Sequence, residues 1–148
     1  MCVQSRTRFV INVASCPVLW KSNLQSEIAT STMEAEINAL AGCMRELIPA
    51  VDLVKEVGDA VGLEQREAPK VRVHKDNDGA FILANTLPPQ YTPRSKFYAL
   101  KMHWFRQECF SRGIIIQKIA TTEQLGDILT KCLPQATFEY LRKKLMGW

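Results

Sequence analysis

Three acidic residues, Glu36, Asp76 and Asp127, stand where catalytic carboxylates are commonly built. Glu36 belongs to "STMEAEINAL" (31–40), where two glutamates lie two positions apart at the start of an apolar-periodic segment. Glu34 fits a capping box with Ser31, S-x-x-E, and so has a structural task. Glu36 does not. On a wheel of about 100° per residue it lies roughly 70° from the centre of the apolar stripe, at its edge. Asp76 is predicted at the carboxyl end of a strand, where open α/β sheets gather ligands. Asp127 is predicted in the first turns of a helix that follows another strand. Three converging carboxylates repel one another unless protonated or bridged by cations. Magnesium suits such a set, being hard and oxygen-seeking. Two such ions about 4 Å apart activate a water and stabilise the leaving oxygen of a phosphodiester. Each acid also has an ordinary explanation: Glu36 as a rim residue, Asp76 as a turn former, Asp127 as a favourable charge near a helix N-terminus.

The elements that would position these acids follow from periodicity. "RFVINVAS" and "CPVLWKSN" are rich in β-branched and aromatic residues and predict two strands, paired as a hairpin. From Thr32 to about Val57 an apolar stripe runs through Met33, Ile37, Leu40, Met44, Leu47, Ile48 and Val51, which predicts a helix. Pro49 should kink or divide it, and Gly58 should stop it. "KVRVHKD" alternates and predicts a short strand. A short helix capped by Asn77 or Asp78 should follow within 77–87, then a proline-punctuated loop over 88–97. Residues 97–112 resume a helical stripe through Leu100, Trp104 and Phe105, closed by Gly113. "IIIQKIA" predicts a strand buried on both faces. "TTEQLGDILTKCL" opens with a second capping box, Thr121 to Gln124, and Pro134 separates it from a final amphipathic helix. The order β-β-α-β-α-α-β-α-α implies an α/β fold, a mixed sheet covered by helices.

A chain of 148 residues suffices for one domain with one core. The formal charge of +4 permits a polyanionic partner without requiring one. Five cysteines, far apart and with no C-x-x-C pair, read as buried or incidental thiols of a reducing compartment. His74 and His103 do not fall at metal-ligand spacings. No apolar run approaches ~18 residues, and "MCVQSRTRF" lacks the layout of a signal peptide. The expectation is an intracellular domain without a membrane partner, cytoplasmic or nuclear.

"LWKSNLQSEIATSTMEAEINAL", "KDNDGA", "RSKFYALKMHWFRQE" and "TTEQLGDILTKCLP…F…LRKKL" occur in this order and at suitable intervals. Together they resemble the ribonuclease H domain of copia-type retrotransposon Pol polyproteins, from about Ser5 to Trp148. The resemblance implies a ribonuclease H-like mixed sheet with flanking helices. It also implies magnesium-dependent hydrolysis of the RNA strand of an RNA–DNA hybrid, alongside the reverse-transcriptase portion of the parent polyprotein. By position, Glu36, Asp76 and Asp127 correspond to the family's catalytic residues, which bind two Mg2+ ions.

The departures bear on activity. The family's domain begins with a further, central strand carrying a fourth catalytic aspartate, and this chain starts too late to include it. No Asp or Glu precedes Glu27. The expectation is therefore a single domain over 1–148, incomplete at the N-terminus, with unpaired strand edges mid-sheet and activity impaired or lost. "KFYAL" stands in place of a K-H-I-D-like word, Cys132 in place of a proline, and Gly126 in place of an alanine. The alternative is a non-catalytic nucleic-acid-binding remnant. Arg94, Lys96, Lys101 and Arg106 would then contact hybrid phosphates without reading sequence. Trp104, at helical spacing, reads as core before stacking platform, and Arg142, Lys143 and Lys144 as a solvated face.

Overall fold

The computed structural model describes residues 4–63, 70–78, 81 and 99–148. Its elements run β1 (Arg6–Val13), β2 (Cys16–Leu24), α1 (Thr32–Ala60), β3 (Arg72–Lys75), α2 (Ala99–Arg112) and β4 (Ile115–Lys118). Two 3-10 turns, Thr121–Glu123 and Leu125–Leu129, lead to α3 (Gln135–Met146). The architecture is mixed α/β, with small sheets and three helices among the described residues.

β1 and β2 pair antiparallel, Arg6 opposite Leu24 and Ile11 opposite Leu19. Ala14 and Ser15 form the tight turn, both at positive φ (50° and 67°), the sense that matches the right-handed twist of a hairpin. The register shifts between Ile11 and Asn12, so Pro17 is paired beside an irregularity, where its missing N–H disturbs the ladder least. Alternation then sorts the side chains. Phe9 and Ile11 are buried, while Arg8 and Val10 lie on the other face.

α1 carries the expected stripe into the core. Ile37, Leu40, Met44 and Leu47 are buried, with Met33, Ile48 and Val51 packed against them. The cluster is completed by Phe9, Ile11, Val73, Met102, Phe105 and Ile114. Each large apolar side chain so buried contributes about 1.5–3 kcal/mol. At the N-terminus Ser31 Oγ accepts from the Glu34 N–H at 3.1 Å. Glu34 returns the bond one residue early, accepting from Thr30 N–H (2.7 Å) and Thr30 Oγ1 (2.6 Å).

Several expectations are corrected. Pro49 does not divide α1, which runs unbroken from Thr32 to Ala60. Pro49 and Arg45 are exposed, so the carbonyl that loses its partner faces water rather than the core. Gly58 does not stop the helix. The chain leaves it at Val61, and Gly62 adopts the left-handed conformation instead. In α2 the buried pair is Met102 and Phe105, whereas Leu100 is exposed. Trp104 packs against the core, as its spacing suggests. β4 is not buried on both faces, for Ile115 is exposed and only Ile114 before it is buried. The segment after β4 is two 3-10 turns rather than a capped α-helix, and no side chain caps either. The short helix expected within 77–87 and the loop over 88–97 lie almost wholly outside the described residues. Only Asn77, Asp78 and Phe81 of that stretch are described, with Phe81 N–H donating to Asn77 C=O at 2.9 Å.

Among the described residues the expected single mixed sheet is replaced by two two-stranded sheets, one antiparallel and one parallel. β3 and β4 pair in parallel, Arg72 opposite Ile115 and Lys75 opposite Lys118. This pair is not hydrogen-bonded to the β1–β2 hairpin.

Candidate functional site

Glu36 sits one turn into α1 and Lys75 ends β3, so the helix edge and the strand end face each other. The Lys75 ammonium pairs with Glu36 Oε2 and lies 3.7 Å from Asp76 Oδ1. Lys75 points inward because it shares the parity of Val73 in an alternating strand. It is a buried lysine, tolerated because two carboxylates compensate its charge. Burial alone would raise the Asp76 carboxyl. The ammonium, a hydrogen bond from Gln124 Nε2 (3.3 Å) and Arg8 together hold it below the ordinary carboxylate range.

Asp127 lies in the second 3-10 turn, its side chain only 4% exposed. Arg8 Nη2 approaches Oδ1 at 2.6 Å and Lys131 Nζ approaches Oδ2 at 2.6 Å. The Arg8 contact falls outside hydrogen-bond geometry, so Oδ1 is buried without a donor among the described residues. A Cβ on Gly126 would stand 3.6 Å from the Arg8 side chain, an ordinary contact, so the glycine in place of the family's alanine does not by itself set the position of Arg8.

The three predicted carboxylates therefore form two groups, Glu36 with Asp76 on one ammonium, and Asp127 on a guanidinium and a second ammonium. Among the described residues no set of three or more His, Cys, Asp or Glu side chains is grouped to hold a metal ion. Three cationic groups balance three carboxylates. Lys75, Arg8 and Lys131 were not picked out from the sequence. Lys131 was legible, being four residues after Asp127, and so was Lys75, from its parity with Val73. Arg8 was not, because only tertiary folding brings β1 beside the 3-10 turn.

A cleft of about 470 Å³ opens beside this site, lined by Arg6, Arg8, Lys131, Glu36 and hydroxyls including Ser31 and Thr130. The two described residues among the proposed phosphate contacts, Lys101 and Arg106, do not line it. Lys101 pairs with Glu27 and donates to Asn38 Oδ1 at 3.0 Å. Arg106 is half-buried on α2. Arg94 and Lys96 lie outside the described residues. Cys43 and Cys109 are half-buried thiols, pushed up to about 12 and about 11 by burial. No described helix is long and apolar enough to cross a membrane.

Similarity to known proteins spans both sheets and all three helices. Over 144 residues, 97% of the chain, it is 31% identical to the Retrovirus-related Pol polyprotein from transposon TNT 1-94 of Nicotiana tabacum. Its homologues are retrotransposon Pol polyproteins. The Pol polyprotein from transposon RE2 of Arabidopsis thaliana is 30% identical over 95% of the chain. The Ty1-DR1 Gag-Pol polyprotein of Saccharomyces cerevisiae is 28% identical over 84%. The chain spans about a tenth of the length of these curated relatives, 10%, 9% and 7% respectively. No protein-family model and no solved structure matches it.

Proposed function

We propose that this retroelement homologue is a ribonuclease H-like domain in which the ancestral reaction, magnesium-dependent hydrolysis of RNA in an RNA–DNA hybrid, is impaired or lost. The homology of almost the whole chain to Pol polyproteins supports the descent. So does the meeting of Glu36 and Asp76 at one cation position. A single observation carries the impairment: each carboxylate already has a cationic side chain against it. Lys75 bridges Glu36 and Asp76, and Arg8 and Lys131 take Asp127. As arranged, these residues do not fit a two-magnesium centre. Its attraction for Mg2+ depends on uncompensated negative charge, and here that charge is neutralised within the chain.

A second reading, a nucleic-acid-binding module without turnover, is favoured by the cleft lined by Arg6, Arg8 and Lys131. Three basic residues around one concavity suit a phosphate backbone, in a sequence-independent and salt-sensitive manner.

Both readings are tested on the purified chain with a labelled RNA–DNA hybrid, with and without Mg2+, beside Asp76→Asn. The expected result is no cleavage above that of Asp76→Asn. Magnesium-dependent cleavage abolished by Asp76→Asn would overturn the impairment. Hybrid affinity that falls with salt supports the binding module, and no affinity at low salt rejects it.

A further inference from the structure

The hairpin has an outer edge. β2 pairs with β1 on one side and, among the described residues, with no strand on the other. Gln25 N–H donates to Ser5 C=O at 2.7 Å, which fixes the phase of the ladder. Leu19, Lys21 and Asn23 therefore spend their backbone groups on β1, and Trp20, Ser22 and Leu24 turn theirs outward. Such an edge is usually blunted by proline, charge or a bulge. Here Pro17 and the shift of register both lie on the turn side of Leu19, so residues 19–25 form a regular stretch. One side chain does reach the edge, since Arg6 Nη1 donates to the Ser22 C=O at 3.1 Å. A carbonyl has two lone pairs, and this one can accept a second bond.

The side chains alternate between two faces. Leu19 packs against the core, and Lys21 Nζ pairs with Glu46 Oε1 of α1 at 2.8 Å. Trp20 and Leu24 lie on the opposite face, 64% and 50% exposed. Lys21 is the one charged residue of β2, and it brings its own counter-charge to the edge. An apolar pair beside a neutralised lysine suits a strand that is itself apolar and without net charge. β2 is such a strand.

We propose that β2 is a dimerisation edge, met antiparallel by β2 of a second copy of this chain about a two-fold axis at Ser22. That register sets Trp20 of each copy opposite Leu24 of the other, and the two Ser22 residues exchange N–H to C=O bonds across the axis. Neighbouring registers are worse. An axis at Lys21 places two ammonium groups opposite each other, and an axis at Trp20 draws the irregular stretch beside Pro17 into the ladder. The resulting four-stranded sheet carries both α1 helices on one face. Because the contact is isologous it closes on itself, so this edge is used up in the pair. The inference does not rest on the nuclease reading, because it uses only backbone pairing and the side chains of β2.

The test uses the full chain over a range of concentrations. Sedimentation is expected to show a dimer whose share rises with concentration. Amide exchange followed by NMR should show protection growing in parallel at Trp20, Ser22 and Leu24, with Lys21 and Asn23 protected throughout. Trp20→Lys should weaken association at least about tenfold, a factor worth about 1.4 kcal/mol. Adding Leu24→Glu to that variant should recover association, because the introduced charges meet across the axis. Within one chain they stand about 13 Å apart. The exchange pattern of the native chain needs no variant, so it decides the matter even if the substitutions impair folding. A single-chain mass at every concentration overturns the proposal, as does a dimer without protection at the three outward amides. Masses that grow past two chains with those amides protected would refute the closed pairing, and an unrecovered double variant that still folds would refute the register. Protection that appears only with an added RNA–DNA hybrid, at the mass of one chain, would give the edge to nucleic acid instead.

Discussion

Lys75→Met tests most directly whether the ammonium stands in for a bridging cation. The side chains of Lys75, Glu36 and Asp76 are 11%, 23% and 11% exposed, so the substitution leaves two carboxylates largely out of water and without counter-charge. Breaking a buried ion pair by removing one partner costs about 3–5 kcal/mol. Glu36 retains some contact with water, which lowers the expected loss to about 2–3 kcal/mol at neutral pH. The dependence on pH should change sign. In the native chain the Asp76 carboxyl is held below its unfolded value, so its contribution is present above about pH 4 and is lost on further acidification. Without the ammonium, burial outweighs the remaining Gln124 and Arg8 contacts and the carboxyl rises above that value. The variant should then regain stability as pH falls from neutral, narrowing the gap to the native chain. Urea denaturation across this range, with and without millimolar Mg2+, measures both effects. Mg2+ should stabilise Lys75→Met, by about 1.4 kcal/mol at ten times its dissociation constant, and leave the native chain unchanged. A variant within about 0.5 kcal/mol of native at neutral pH would refute the reasoning. So would an equal response of both proteins to Mg2+.

Other consequences are simpler. Met44 is completely buried at the centre of the core, so Met44→Ala should cost about 2–5 kcal/mol in chemical denaturation; a smaller loss would mean that the core collapses around the gap. Ser15→Gly removes a side chain from a residue at φ 67° and should raise the urea midpoint by the equivalent of about 1 kcal/mol, whereas a lower midpoint would show that the serine is needed in the turn. Cys43, with its thiol pushed up to about 12, should react with a thiol reagent well after exposed Cys16 and Cys132 in the native chain, as followed by peptide mass mapping. Equal rates would mean that α1 opens away from the sheet on the labelling timescale.

Local pattern carried much of this protein. The hairpin is fixed by two runs of β-branched and aromatic residues around a short break, the α1 stripe by seven apolar positions at helical spacing, and the entrance of that helix by Ser31 and Glu34. Period and capping chemistry act within a few residues, so they are visible in the chain itself. What failed was also local but depended on surroundings. Pro49 is accommodated because its side of α1 faces water. The segment around Asp127 tightens into 3-10 turns, and Leu100 points outward while Met102 and Phe105 take the core. No property of those residues alone decides which face will be covered.

The acids 36, 76 and 127 could be chosen from their words and spacing, but the company they keep could not. Arg8 reaches Asp127 across 119 positions only because β1 packs beside the 3-10 turn, and Lys75 reaches Glu36 because strand parity aims it at α1. The division of the strands into two pairs is likewise a tertiary outcome, since hydrogen-bonding capacity is the same along every backbone and only packing decides which edges meet. The sequence determined the elements and the candidate carboxylates, through short-range periodicity and side-chain chemistry. The tertiary structure decided their electrostatic state and the pairing of the described strands, because both depend on groups far apart in the chain meeting in space.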